Sequence, residues 1–417
     1  MTQLKITNAR EILDTYTDAV THIGEGRFTV RSQSGQGWYN INDSVDQITC
    51  DCPDFIKNGN PCKHITAVLI KTKQITIPPE VEHKTRRRYV VKWPEYTAAQ
   101  RYEISYLEQI TSEVLKGEMT SQRTGKRGRP RTAIKNLLFC AVLKLYHQMP
   151  LRVSQGLFLN ALKEHKIDYM PGINAPSTFL MREETTQLLN EAIAKVTLPL
   201  AMLDDTFAID ASGFRSTCFN YYRKEKYEPE RKNVWEKCHL IVGTKTKAIP
   251  AVIVTGGDAP DESRFPSLLE ATCKAGFSVK KVFADKAYLS RNNYSIAASL
   301  GVDAIIPFKS NSRGRAAGVP TWHQKFIEWQ TNPAWLEQND YGLRQSAEAD
   351  FSALKRKLGE TIKSRDPVAR RNEIMLKIFI YDVTRLIHVI FESEQKPDMH
   401  EYSDFCTNNP QLGLMNS

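Results

Sequence analysis

No stretch of the 417-residue chain approaches the roughly 18 consecutive apolar residues of a membrane-spanning helix. The first residues, MTQLKITNAREILDTY, lack the apolar core of a secretory signal. Cysteine is too sparse and uneven for a disulfide framework. Of the eight, Cys140, Cys218, Cys238, Cys273 and Cys406 are scattered, and only Cys50, Cys52 and Cys62 cluster. The expected setting is therefore a reducing compartment with no membrane partner: cytoplasmic, and nucleoid-associated if the protein binds DNA. Acidic residues are the scarcer charge, 47 Asp and Glu against 57 Lys and Arg, giving +10 and a pI near 9.1. That excess favours a polyanionic partner, nucleic acid first. The length leaves room for two or three domains with a sizeable core.

The N-terminal region, residues 1–74, carries the clustered cysteines. Residues 8–24 are expected to form a short helix. RFTVRSQ, GWYNIND and DQITCDC then alternate apolar and polar residues in the manner of strands. Cys50 and Cys52 follow at a strand end, and Cys62 and His64 precede the apolar run ITAVLI. Three thiolates and one imidazole suit tetrahedral Zn²⁺, and four protein ligands leave no open position for catalysis. A small unit of this kind gains much of its folding free energy from the metal. The C-x-C…C-x-H spacing, with Pro53-Asp54-Phe55 after the second Cys, resembles the SWIM zinc finger. The resemblance implies a structural Zn²⁺ site in an accessory DNA- or protein-recognition module.

Residues 75–131 read as a basic linker, with a helix at 97–117 and then TSQRTGKRGRPR. Arg127, Arg129 and Arg131 around Gly128 and Pro130 resemble an AT-hook, which lays Arg side chains in the minor groove. The competing reading is a basic linker making non-specific phosphate contacts. Residues 132–200 read as three helices, the third beginning at Ser177 as N-cap and running to Val196. They suit either a helix-turn-helix DNA reader with the Ser177 helix in the groove, or a plain helical subdomain packed on its neighbour.

From Leu203 the pattern turns α/β and continues to residue 394. LDDTFAIDASGF reads as a strand holding Asp210, with further strands at 216–222 and 236–243 and in AIPAVIVTG. VKKVFADKAY reads as a strand delivering Asp285, and GVDAIIPFK as another, with helices between. Antiparallel strands followed by strand–helix alternation suit a ribonuclease-H-like mixed sheet flanked by helices. Asp210, Asp285 and Glu348 are the three carboxylates that two-metal phosphoryl transfer requires, and hard oxygen ligands favour Mg²⁺ or Mn²⁺. Glu348 lies in YGLRQSAEADFSALK, expected to be helical from Tyr341 to Lys355. Tyr341, Arg344, Glu348 and Lys355 share one face, and Leu343, Ala347, Phe351, Leu354 and Leu358 form an adjoining apolar stripe.

Asp210, Asp285-x-Ala287-Tyr288 and Tyr341-x₂-Arg344-x₃-Glu348-x₆-Lys355 resemble the DDE insertion-sequence transposases with the Tyr-Arg-Glu-Lys signature, although Ala287 stands where Gly is more usual. NEIMLKIFIYDVTRLI resembles that family's closing helix. The resemblance implies that Asp210, Asp285 and Glu348 bind the catalytic metal, that Arg344 and Lys355 contact DNA phosphates, and that Tyr341 helps place the strand. It also implies double-stranded DNA partners, terminal inverted repeats and target, and a homodimer in the DNA complex. The expected activity is strand cleavage followed by strand transfer. The rivals are a nuclease without strand transfer and a catalytically inert DNA-binding regulator.

Among the remaining residues, Asp261 reads as an N-cap, Asp204, Asp205 and Asp258 as solvated, and Asp350 as pointing away from Glu348. His239 reads as a strand histidine without a catalytic role, the alternative being a position facing the site. Residues 310–340 read as a connection whose Trp322, Trp329 and Trp335 pack. Lys355, Arg356, Lys357, Lys363, Arg365, Arg370 and Arg371 form a basic stripe, either along DNA or in solvent. Residues 395–417 read as a loosely ordered polar tail.

Overall fold

Gly26 sets the first hairpin. Its φ is +71°, and a Cβ there would stand 2.3 Å from the Asp43 carbonyl oxygen, so no other residue fits without strain. The computed structural model describes residues 3–33, 36–43, 48–59, 61–72, 91–116, 132–216, 235–400, 402, 406 and 407. They divide into two units, Met1–Val90 and Val91–Ser417. The AT-hook-like Arg127, Arg129 and Arg131, and the expected strand beyond Ser216, lie outside the described residues.

In the first unit, helix α1 (Gln3–Thr15) precedes four antiparallel strands, β1 (Val20–Gly24), β2 (Arg27–Arg31), β3 (Trp38–Asp43) and β4 (Ile48–Cys50), in the order β1-β2-β3-β4. The helix expected over 8–24 thus starts earlier and ends at Thr15. β-branched Val20 and Thr21 instead extend and pair with β2. Helices α2 (Pro53–Asn58) and α3 (Lys63–Lys71) complete the unit. Ile65 and Val68 of α3 join Ala9, Ile12, Val30 and Ile41 in its core.

The second unit begins with α4 (Trp93–Val114), four residues before the expected start because Pro94 suits a first helical turn. It continues through α5 (Ile134–Tyr146), α6 (Gln155–Lys163), α7 (Ala175–Leu180) and α8 (Glu183–Thr197). The single helix expected from Ser177 to Val196 is broken in two, and Ser177 lies inside α7 rather than capping it. Asn372 Nδ2 donates to the Leu180 and Arg182 carbonyls at 2.8 and 3.1 Å, satisfying groups the break exposes. Leu189, Ile193 and Val196 of α8 enter the same core as the sheet.

That sheet comprises β5 (Thr206–Ser216), β6 (Trp235–Gly243) and β7 (Ala251–Gly256), then, after α9 (Phe265–Lys274), β8 (Lys281–Ala284), and after α10 (Arg291–Ser299), β9 (Asp303–Ile305). Its order is β7-β6-β5-β8-β9. The first three strands are antiparallel and the last two parallel to β5, the arrangement of a ribonuclease-H-like mixed sheet. Residues 310–340, read as a connection, hold helices α11 (Pro320–Thr331) and α12 (Trp335–Gln338). Trp322 and Trp335 are buried, Trp322 edge-on to Phe308, in line with packing.

A 3₁₀ turn over Tyr341–Arg344 leads into α13 (Gln345–Leu358), which packs on β5 and β6. Ala347, Phe351, Leu354 and Leu358 are buried as the apolar stripe requires. Leu343 is 42% exposed, because the tighter turn rotates it off that face. β10 (Thr361–Ile362) pairs with the far end of β5, and α14 (Pro367–Glu392) runs against α4, α5, α7 and α8. The tail is partly docked: Met399, Tyr402 and Cys406 are buried, and Tyr402 Oη donates to the Lys195 carbonyl at 3.0 Å.

Candidate functional site

Four side chains of the first unit converge. Cys50 ends β4, Cys52 and Cys62 are the N-caps of α2 and α3, and His64 lies in the first turn of α3. All four are buried, and their ligand atoms lie within 4.8 Å of one another. His64 Nδ1 is 3.8 Å from Cys62 Sγ, and its buried Nε2 has no hydrogen-bond partner among the described residues. The thiols resist ionising together. A hydrogen bond from Cys50 is the largest influence pulling Cys62 down to about 4, while that same contact pushes Cys50 well up. One negative charge is thus shared where a divalent cation would sustain three. The donor set and its closeness fit Zn²⁺.

In the second unit, strand register creates the other site. Ile209 of β5 pairs in parallel with Ala284 of β8, so Asp210 and Asp285, each one residue further on, stand side by side on one face. Asp285 also caps the following 3₁₀ turn, its carboxylate accepting from the Ala287 amide. Tyr341 Oη donates to the Ala284 carbonyl at 3.2 Å, which holds the turn before α13 over the end of β8. Glu348, exposed in the first turn of α13, is paired with Arg344. Burial first pushes the Asp210 carboxyl up to about 6. Arg344 opposes the rise, and the negative charges of Glu348 and Asp285 add to it. Asp210 therefore senses both other carboxylates.

Lys355 is less free than a phosphate contact requires. Its Nζ donates to Ser212 Oγ at 2.7 Å and to the Gly213 carbonyl at 2.8 Å, beside Asp210 on β5. The basic stripe is largely spent within the fold. Lys357 pairs with Glu103, Arg370 with Glu236 and Arg371 with Glu183, whereas Arg356 and Arg365 are exposed.

His239 pairs with Ala211, the residue after Asp210, and so lies on the opposite face of the sheet. There its Nδ1 meets Asp261 at 3.2 Å, and burial first pushes its pKa down to about 4. Asp261 makes no side-chain cap; it takes Lys237 at 2.7 Å instead. Asp204, expected to be solvated, is 2% exposed and accepts the Lys245 and Thr246 amides at 2.8 and 2.9 Å.

Behind Glu348 sits a buried polar group whose partners, remote in sequence, local spacing does not name. Asp350 points away from Glu348, into the interior, where Tyr381 Oη donates to it at 2.7 Å. Lys247 Nζ donates to Ser346 Oγ at 2.7 Å, tying α13 down from below. Burial first pushes Asp350 up to about 6. The available signal was Asp382 and Tyr381 inside the apolar run of α14, polar groups that need buried partners.

Residues 202–383 match the family model of the transposase DDE domain, and residues 38–73 match that of the SWIM zinc finger. The chain thus joins a transposase DDE domain to a SWIM zinc finger whose Cys50, Cys52, Cys62 and His64 cluster fits zinc. No helix among the described residues is long and apolar enough to cross a membrane.

Proposed function

We propose that this chain, in which a transposase DDE domain follows a SWIM zinc finger, is a DNA transposase. It binds the terminal inverted repeats of its element, cuts a strand with water as nucleophile, and then attacks target DNA with the freed 3′-hydroxyl. The observation that carries this reading is the β5–β8 register, which sets Asp285 beside Asp210 while Glu348 is close enough to raise Asp210. Asp210, Asp285 and Glu348 are the residues that would hold Mg²⁺ or Mn²⁺. Bound there, the ions supply Lewis acidity for the attacking and departing oxygens of a phosphodiester.

The protein's own part is to fix those carboxylates and to grip the strand. Asp210 and Asp285 are fixed by the sheet, and Glu348 by the buried face of α13. Arg344, one turn before Glu348, offers a planar set of donors to a phosphate. Tyr341 steadies the turn through the Ala284 carbonyl. Lys355 places positive charge beside Ser212, at the flank of the site. Arg127, Arg129 and Arg131 add minor-groove contacts. Zn²⁺ on the N-terminal cluster is structural, and two chains act together because two element ends must be joined. The protein works where the DNA is, in the cytoplasm at the nucleoid.

The test is incubation of the chain with Mg²⁺ or Mn²⁺ and DNA bearing the inverted repeats, comparing wild type with Glu348→Gln. Wild type should cleave and join, and the variant should lose both by roughly a hundredfold or more. Cleavage without joining would identify a nuclease. Binding without cleavage, equal in both proteins, would identify an inert regulator.

A further inference from the structure

The second unit encloses a cavity of about 180 Å³ where α5, α7, the end of α13, β10 and α14 meet. Three lysines line it: Lys144 of α5, Lys363 after β10 and Lys377 of α14. Lys377 is 2% exposed. Its Nζ donates to the Gly359 and Thr361 carbonyls at 2.7 and 3.0 Å, and among the described residues no carboxylate forms an ion pair with it. The side chain of Lys144, partly buried, makes no hydrogen bond or ion pair among the described residues. Lys363 Nζ donates to the Gln148 carbonyl at 3.1 Å.

Two carboxylates also line the space, and both are engaged elsewhere. Glu373 accepts the Lys363 and Ser364 amides at 2.9 and 2.8 Å, and Glu360 faces Arg215 at 3.8 Å. Burial first lowers both Lys144 and Lys377, the latter to about 8; the Glu373 charge opposes the fall and the Lys363 charge adds to it. Three ammonium groups thus share one small cavity with Leu180 and Leu376 at its wall, outnumbering Glu360 and Glu373, neither of which forms an ion pair with them among the described residues.

We propose that this cavity is a phosphate-binding site and that it takes a backbone phosphate of bound DNA, an assignment resting on the transposase reading above. Carbonyls would serve a cation equally well, but three ammoniums select an anion, and a tetrahedral oxyanion can accept from all three at once. The helix that presents Glu348 ends at the cavity. Eleven residues separate Glu348 from Gly359, about 16 Å of helix, which is roughly five base steps of duplex. For a duplex lying along that helix, the phosphate held here is about five nucleotides from the scissile one.

The test uses the full chain. Inorganic phosphate is titrated by calorimetry into wild type, Lys144→Gln and Lys363→Gln, the last being an exposed change that spares the fold. DNA affinity is measured for the same proteins across a salt series. The site predicts phosphate binding to wild type, weakened about tenfold or more in each variant. It also predicts a DNA salt slope reduced by about one in each. A neutral methylphosphonate about five nucleotides from the cut should weaken wild type and leave Lys144→Gln unchanged. Phosphate binding that depends on Lys144, with an unaltered DNA slope, would overturn the DNA assignment and make free phosphate the ligand. No phosphate binding and an unaltered slope would overturn the site. If wild type bound no DNA at all, the transposase reading would fall, and the phosphate titration would still decide the cavity.

Discussion

Asp210→Asn should stabilise the metal-free protein at neutral pH while abolishing catalysis. Asn keeps the shape of Asp210 and removes a charge that burial and two neighbouring carboxylates oppose. A rise from the ordinary 3.8 to about 6 corresponds to about 3 kcal/mol at full burial. Asp210 is only partly shielded, so about 1–2 kcal/mol is the working figure. The sign follows from linkage. A carboxyl raised in the folded state favours folding while it is protonated, and that advantage is lost as pH climbs from about 4 to about 6. The gain from Asn should therefore be small near pH 4, grow through that window and level off above pH 7. For a domain of this size it amounts to about 2–5 °C in Tm. Scanning calorimetry of wild type and variant in chelator at several pH values reads this directly. Added Mg²⁺ should then raise wild type and leave Asn behind. An Asn variant less stable at pH 7.5, or one whose gain is the same at every pH, would refute the electrostatic reasoning.

Three further outcomes are expected. Purified protein should hold one zinc per chain, released on thiol modification with loss of protease resistance in residues 1–72; metal analysis without stoichiometric zinc would end the zinc assignment. Asn372→Ala should cost about 1–3 kcal/mol in a denaturant titration, because the Leu180 and Arg182 carbonyls lose a buried donor. Tyr381→Phe leaves Asp350 without its hydroxyl partner and should destabilise by about 1–2 kcal/mol. Paired with Asp350→Asn, it should show a coupling in a double-mutant cycle, and strict additivity would mean that the two do not interact.

Period-two alternation was readable in β2, β3 and β4, and apolar periodicity in α5 and α6, because those signals are local. So were the zinc ligands, whose four residues fall in a short span of chain. What escaped was set by distant partners. Nothing within residues 177–196 announces a break at Met181–Arg182; the donor that satisfies it is Asn372, nearly two hundred positions away. Nothing near Asp204 says that the Lys245 and Thr246 amides will enclose it. The basic stripe looked like a DNA track because Glu103, Glu183 and Glu236 are remote in sequence and reach those lysines and arginines only in the fold. β10 was missed because two residues carry no periodicity.

The two candidate metal sites share one electrostatic logic, and it explains why each is built on rigid elements. Like charges held together repel, and a flexible site would relieve the repulsion by moving them apart. Here Cys50 and Cys62 are fixed by a strand end and a helix cap, and Asp210 and Asp285 by a parallel register that cannot shift by one residue without turning each side chain to the other face. The crowding shows as altered proton affinity: downward at Cys62, because Cys50 donates a hydrogen bond to it, and upward at Asp210, where burial leads and the charges of Glu348 and Asp285 add. Arg344 offsets part of it by lying on Glu348, one turn from the site. A cation that binds the carboxylates competes with that guanidinium and with the proton on Asp210. Metal affinity at the second site should accordingly fall steeply below about pH 6 and rise when Arg344 is replaced by Gln. An Arg344→Gln protein that bound Mn²⁺ no better than wild type at pH 7.5 would show that the ion pair does not compete with the metal.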